Sequence, residues 1–178
     1  MDRDDSLAVR LKTGSRNAAT ELVDAYYKQI YVFMRRAGYG RQTSEDLTQD
    51  CFLQAWQHIG QLKNDKALNS WLYRIAANVA RQYWRKHKND ERSGVEGIDL
   101  QTNEQQADNS EELGRLNRAV AELSRKFREP VILHYMQHLT IAEAAEAAQI
   151  SKGTFKSRLN RALKTLRKQM AGESGKSK

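Results

Sequence analysis

Apolar residues recur along this chain at intervals of three and four, between stretches where the pattern lapses, which predicts a series of amphipathic helices. Leu7, Val9 and Leu11 open a first helix that breaks at Gly14-Ser15. Ser15 or Asn17 caps a second, with the stripe Leu22, Ala25, Tyr26, Ile30, Phe33 and Met34, and Gly38-Tyr39-Gly40 ends it. Thr43-Ser44-Glu45-Asp46 predicts a third helix with Ser44 as N-cap and the acids in the first turn, where the helix dipole favours them. Its buried side is Leu47, Cys51, Phe52, Ala55 and Ile59. A loop over 61–69 precedes a long helix capped by Asn69 or Ser70, with core positions Leu72, Ile75, Ala76, Val79 and Tyr83.

Residues 93–111 have no apolar period, and glycines and polar residues make them a linker. Leu113, Leu116, Ala119, Val120 and Leu123 then form a helix. Ser124 caps another with Phe127, Val131, Ile132 and Tyr135 on its apolar side, and Pro130 predicts a kink or a helix start.

The last stretch, Thr140 to Met170, is the most explicit. Thr140 and Glu143 have the spacing of a capping box, and Ile141, Ala144, Ala145 and Ala148 share one face, small enough for close approach of a second helix. Gln149-Ile150-Ser151 is a turn, with Ser151 the N-cap of a helix whose stripe is Phe155, Leu159, Ala162, Leu163, Leu166 and Met170. The opposite face carries Lys156, Ser157, Asn160, Arg161, Lys164 and Lys168, and no acid occurs from Ser151 to Gly172. A helix-turn-helix puts such a face in the DNA major groove. A basic amphipathic helix also suits a solvated or membrane surface, but neither needs a capped helix and a defined turn in front of it.

Composition agrees with an all-α chain: 178 residues hold one proline and ten glycines. No apolar run is long enough to span a membrane, and the acidic start Met-Asp-Arg-Asp-Asp lacks the apolar core of a secretory signal. The single cysteine, Cys51, excludes an internal disulfide and a multi-cysteine zinc site, and a cytoplasmic location fits. The net charge of +8 divides unevenly: residues 1–92 carry +5, residues 93–111 carry −5 and residues 112–178 carry +8. Two basic blocks around an acidic one predict two nucleic-acid-facing domains. The expected organisation is two small helical domains, 1–92 and 112–172, a flexible acidic linker over 93–111, and a tail over 173–178.

Within the first block, Asp46, Asp50, Leu53, Gln54 and Gln57 share a face that suits a basic protein partner or plain solvent. The long helix shows Arg74, Asn78, Arg81, Gln82 and Arg85 beside Trp71, Tyr73 and Trp84, a chemistry of phosphate neutralisation, base-edge hydrogen bonds and stacking. Trp71 is as good a core residue as a stacking platform. His134 and His138 stand at i, i+4, but Tyr135 occupies the glutamate position of a zinc-protease motif and no third ligand is evident. No catalytic motif occurs, so neither enzyme activity, metal nor cofactor is expected.

Ser-Glu-Asp-Leu-Thr-Gln-Asp-Cys-Phe-Leu-Gln-Ala-Trp (44–56), followed by Trp-Leu-Tyr-Arg-Ile-Ala-Ala-Asn (71–78), resembles region 2 of the extracytoplasmic-function (ECF) sigma factors of the sigma-70 family. Residues 123–135 and 153–166 resemble their region 4. The resemblance implies a dissociable promoter-specificity subunit of bacterial RNA polymerase, with core enzyme and promoter DNA as partners and an anti-sigma factor as a further one. It implies that Asp46, Gln49, Asp50 and Gln54 bind core polymerase. Lys63, Asn64, Asp65, Lys66, Asn78, Arg81, Gln82 and Arg85 would read the −10 element and capture unpaired bases; Lys156, Ser157, Asn160, Arg161 and Lys164 would read the −35 element. The linker would thread toward the RNA path. A stand-alone helix-turn-helix regulator of duplex DNA is the competing reading.

Three positions depart from the family pattern. The loop before Trp71 lacks the usual glycine and arginine. Gln149 replaces a glycine in the turn, and Thr43-Ser44 stand where Asp-Ala is common, so phosphorylation there would restore negative charge.

Overall fold

The computed structural model describes residues 3–87 and 110–173. They form eight α-helices and short 3₁₀ and π turns, with no strand among the described residues. The first four helices are α1 (Arg3–Lys12), α2 (Arg16–Arg36), α3 (Arg41–His58) and α4 (Leu68–His87). The second four are α5 (Ser110–Glu122), α6 (Arg125–Val131), α7 (Ile141–Ala147) and α8 (Lys152–Glu173). The all-α expectation is met. Most of the linker, the end of the first domain and the tail beyond Glu173 lie outside the described residues, and Ser110 opens α5 rather than closing the linker.

Helix α2 begins at Ser15, whose Oγ accepts from the Ala18 amide at 3.3 Å. It ends at Gly38, whose φ of 102° turns the chain back so that the Gly38 and Tyr39 amides reach the Arg35 and Met34 carbonyls. Its stripe Leu22, Tyr26, Ile30, Phe33 and Met34 is buried, while Ala25 is exposed. Val9 of α1 also faces solvent, and Ala8 takes the core position between Leu7 and Leu11.

Ser44 is not the cap of α3. The helix starts at Arg41 behind Gly40, and Ser44 is fully buried one turn inside, with its hydroxyl donating to the Tyr39 carbonyl at 3.2 Å. Glu45 and Asp46 therefore lie past the first turn. The cap at Asn69 or Ser70 is corrected as well: a 3₁₀ turn, Asp65–Ala67, leads straight into α4 at Leu68, and Asn64 caps that turn through the Lys66 amide at 3.0 Å. Trp71 and Tyr73 are core residues, 5% and 1% exposed, and do not offer stacking faces to solvent. Cys51 is buried against the Leu72 carbonyl.

In the second domain Pro130 lies inside α6, which passes into a π turn, Ile132–Met136. That wider turn shifts the angular position of its residues, so Tyr135 is exposed instead of joining Val131 and Ile132 in the core. Ser124 holds the N-cap position of α6 without a side-chain bond, and Leu123 packs from just beyond α5. Leu113 is half-exposed. Helices α7 and α8 match the sequence pattern closely: the Thr140–Glu143 capping box is complete, and Ser151 Oγ accepts from the Thr154 amide at 3.1 Å. Gln149 has a φ of 55°, and its amide and that of Ile150 bond the Glu146 and Ala145 carbonyls. This is the αL C-terminal motif that glycine adopts without strain.

The buried apolar residues of both halves form one continuous cluster. Helix α7 lies on α4, and α8 packs on α6 and α7.

Candidate nucleic-acid and polymerase interface

Three surfaces carry the residues of interest. The first is the outer face of α8. Phe155, Leu159, Ala162 and Leu166 are buried and fix the helix; Lys156, Ser157, Asn160, Arg161 and Lys164 are all exposed on the other side. The next-turn cations Arg167 and Lys168 are exposed too. The whole set predicted from the chain's periodicity thus stands on one open, positive face. Its chemistry suits a polyanion with base edges: amide and hydroxyl for hydrogen bonds, lysines and arginines for phosphates.

The second is α3. Asp46, Gln49 and Asp50 are exposed and Gln54 is half-buried along one side of the helix. Flanking them are apolar side chains that the helical pattern does not single out: Trp56 at 39% exposed and Tyr27 at 36%, with Leu53, already placed on this face, the most exposed at 60%. Tyr27 stacks on Phe52 and Tyr31, which holds its ring in place. Large exposed apolar groups rimmed by acids mark a protein-binding surface. The exposure of Tyr27 and Trp56 is not legible in the sequence, because each stands next to a core position of its helix, whereas that of Leu53 follows from its place on the polar face.

The third is α4 with the loop before it. Lys63, Asn64 and Lys66 are exposed at its entrance. Asp65 is tied to Lys12 of α1 by an ion pair, so it anchors the loop. Further along α4, Gln82 and Arg85 are exposed, Asn78 is half-buried, and Arg81 is largely covered. Asn78 and Gln82 line a cleft with Gln54, Gln57, Gln61, Arg74 and Gln149, so amides from both domains meet there.

The cover over Arg81 comes from the second domain. Its Nη1 donates to Glu129 Oε1 at 3.0 Å. Burial lowers the Arg81 pKa and raises that of Glu129; Arg81, Arg125 and Arg158 pull the carboxyl back down, and burial prevails. Arg74 Nη1 donates to Glu146 at 2.7 Å, and Tyr73 donates to Gln137. Arg125 lies over the rings of Trp84 and Tyr39, at 5.3 and 5.7 Å from their centres. Arg128 reaches the Ala121 and Leu123 carbonyls of its own domain and the Ala37 carbonyl of the first, at 3.1 Å. A cation thus caps the C-terminus of α2 across the domain boundary. A Cβ on Gly38 would collide with this guanidinium. None of Arg125, Arg128 or Glu129 is a site residue on sequence grounds; only their charge within an amphipathic helix is visible there.

Among the described residues no cluster of His, Cys, Asp or Glu could hold a metal ion, and no helix is long and apolar enough to cross a membrane. His134 Nδ1 is engaged with the Leu139 carbonyl at 2.7 Å.

Comparison with known proteins gives concordant matches. The family model for sigma-70 region 2 matches residues 22–89 and that for sigma-70 region 4 matches residues 113–166. The ECF RNA polymerase sigma factor SigM of Bacillus subtilis is 30% identical over 150 residues, covering 83% of this chain and 91% of SigM. SigW of the same organism is 29% identical over 174 residues, covering 90% and 93%. Among solved structures, CnrH in complex with the cytosolic domain of CnrY superposes with a TM-score of 0.71 at 23% identity, over 96% of this chain and 99% of CnrH. The sigma factor RpoE of Bartonella quintana, solved with the anti-sigma factor NepR, gives 0.69 at 22% identity, over 85% and 96%.

Proposed function

From the membership of this chain in the ECF sigma factors of the sigma-70 family, which makes it an RNA polymerase sigma factor, we propose a division of labour between its two domains. The first domain holds core polymerase through Asp46, Gln49, Asp50 and Gln54 on α3, helped by the apolar rim of Tyr27, Leu53 and Trp56. The second reads the −35 element through Lys156, Ser157, Asn160, Arg161 and Lys164. The −10 element falls to Lys63, Asn64, Lys66, Asn78, Arg81, Gln82 and Arg85, with Asp65 holding the loop.

The observation that carries this reading is the exposed set sharing one face of α8, behind a complete capping box and a defined turn. Lysines and arginines give affinity through phosphate neutralisation, and Asn160 and Arg161 have the donor geometry for base edges. On the −10 side, capture of unpaired bases offsets an unstacking cost of a few kcal/mol without ATP. A protein of the anti-sigma kind is a further partner in this reading. The cytoplasm is the compartment where all of these meet.

Reconstituted transcription with core polymerase is the test. Promoter-dependent transcripts from genomic templates are expected; a folded protein that gives none sinks the reading. The stand-alone regulator reading leaves the acidic and apolar face of α3 without a role.

A further inference from the structure

The loop between α3 and α4 has to be held still to tell one base from another, because a recognition side chain displaced by about 1 Å loses much of its discrimination. Leu62 is buried and pins the near end, and Ser70 Oγ donates to the Ala67 carbonyl at 3.1 Å at the far end. Between them Lys63, Asn64 and Lys66 are exposed. Asn64 Oδ1 accepts from the Lys66 amide at 3.0 Å, a bond inside the loop that fixes its shape but not its place on the domain. Asp65 reaches out of the loop instead, to Nζ of Lys12, 53 residues earlier in the chain.

Lys12 stands on a firm post. It is the last residue of α1, whose Leu7, Ala8 and Leu11 are buried. Helix α1 packs on both 3₁₀ turns that flank the loop, Ile59–Gln61 and Asp65–Ala67, and on α4. The turn behind Lys12 is closed by three amides: Thr13 bonds the Val9 carbonyl, Gly14 the Leu11 carbonyl and Ser15 the Arg10 carbonyl. Gly14, with a φ of 79°, supplies the left-handed residue that ends the helix in this way. Arg10 Nη2 donates to Glu21 Oε2 at 2.6 Å and ties α1 to α2. The Lys12 ammonium is therefore carried to a fixed point beside the loop by a helix that has no DNA-reading residue of its own among the candidates.

We propose that Lys12 is a positioning residue for base selection at the −10 element: acting through Asp65, it sets where Lys63, Asn64 and Lys66 meet the unpaired strand. This rests on the assignment of that loop to the −10 element. The side chains of the pair are 31% and 29% exposed, so the pair contributes little to global stability. Docking of α1 is secured by its buried apolar face, and the charge at its C-terminal end is left to act on the loop. Removing that charge should therefore release the loop without unfolding the domain.

The test uses the full chain assembled with core polymerase, and a pool of single-stranded DNA oligonucleotides with a randomised stretch as the probe; bound strands are recovered and sequenced. The parent should enrich a short motif. Lys12→Ala should lower the preference at the position the loop reads by about tenfold, within what one base contact supplies, and leave the other positions and the unfolding midpoint where they were. Lys12→Arg should restore the preference. Lys12→Glu, which sets a like charge against Asp65, should remove more of it than alanine does. Asp65→Ala should alter the same position, and the double variant should go no further than either single one, because the two residues act as one contact. An unchanged motif in Lys12→Ala overturns the proposal. A loss spread evenly over all positions, or one that comes with a lowered unfolding midpoint, overturns it too, since either reports a weakened fold and not a displaced loop. Replacing Lys63, Asn64 and Lys66 together by alanine checks the assignment beneath it. If the motif survives that change at every position, the loop does not read the −10 element and the assignment has failed, taking the proposal with it. A motif changed by the loop variant but not by Lys12→Ala is a failure of the proposal alone.

Discussion

Helices α4 and α8 both present arginine, lysine and amide side chains, yet the structure treats them oppositely. Every candidate contact on α8 faces solvent, while α4 gives Arg81 to Glu129, Arg74 to Glu146 and the Trp84 face to Arg125. A basic face alone does not say whether a surface is available. Helix α8 rests one side on its own domain's core and turns the other to solvent. Helix α4 meets the second domain along part of its polar face, at Arg74, Arg81 and Trp84, while Gln82 and Arg85 stay exposed.

The largest effect comes from removing the support beneath α8. Phe155 is wholly buried beneath α8, and Phe155→Ala should cost the second domain about 3–5 kcal/mol in denaturant unfolding. Helix α4 should then lose its cover along with the −35 reader. A subtler break leaves the fold intact: Arg161→Ala should lower −35 discrimination by about 1–3 kcal/mol if it reads a base, or reduce the salt slope of promoter binding by about one if it holds a phosphate. Binding measured on matched and mismatched duplexes across a salt series separates the two.

Acidity sharpens the α4 side. Glu129 is faced by Arg81 of α4, Arg125 of its own helix and Arg158 of α8, yet burial raises its pKa when the domains are closed. The closed form therefore binds the proton more tightly than the open form does. Closure should be favoured at acid pH and weaken as pH rises through the raised Glu129 value, the reverse of what a simple ion pair gives. Energy transfer between the domains as a function of pH should show this, and Glu129→Gln should flatten it. The smallest expected effect lies in the turn: Gln149→Gly removes a left-handed residue with a Cβ and should stabilise the second domain by about 1 kcal/mol, read from the unfolding midpoint.

Legibility in the sequence divides along the same line. The capping box at Thr140, the Ser151 cap and the αL strain at Gln149 are local, set by residues three or four apart, and the sequence pattern locates each of them. Ser44 misleads because a serine before two acids is a good local cap, while its hydroxyl is spent on the Tyr39 carbonyl inside a helix that has already started behind Gly40. Tyr135 leaves its predicted place because a π turn breaks the period that any helical pattern assumes. The Arg128–Ala37 and Arg81–Glu129 contacts join residues far apart in the chain, and no spacing rule reaches them. For the same reason the α8 face is complete from sequence, whereas the covering of α4 emerges only from the folded chain.

Cys51 is the only thiol in this chain, it has no exposed surface, and burial drives its pKa upward, with Asp50 adding to the effect. Oxidants attack the thiolate, and this sulfur is neither ionised nor reachable. In the folded protein this one thiol is thus closed to sulfenic-acid formation and to mixed disulfides, and local opening around α3 and α4 has to come before either.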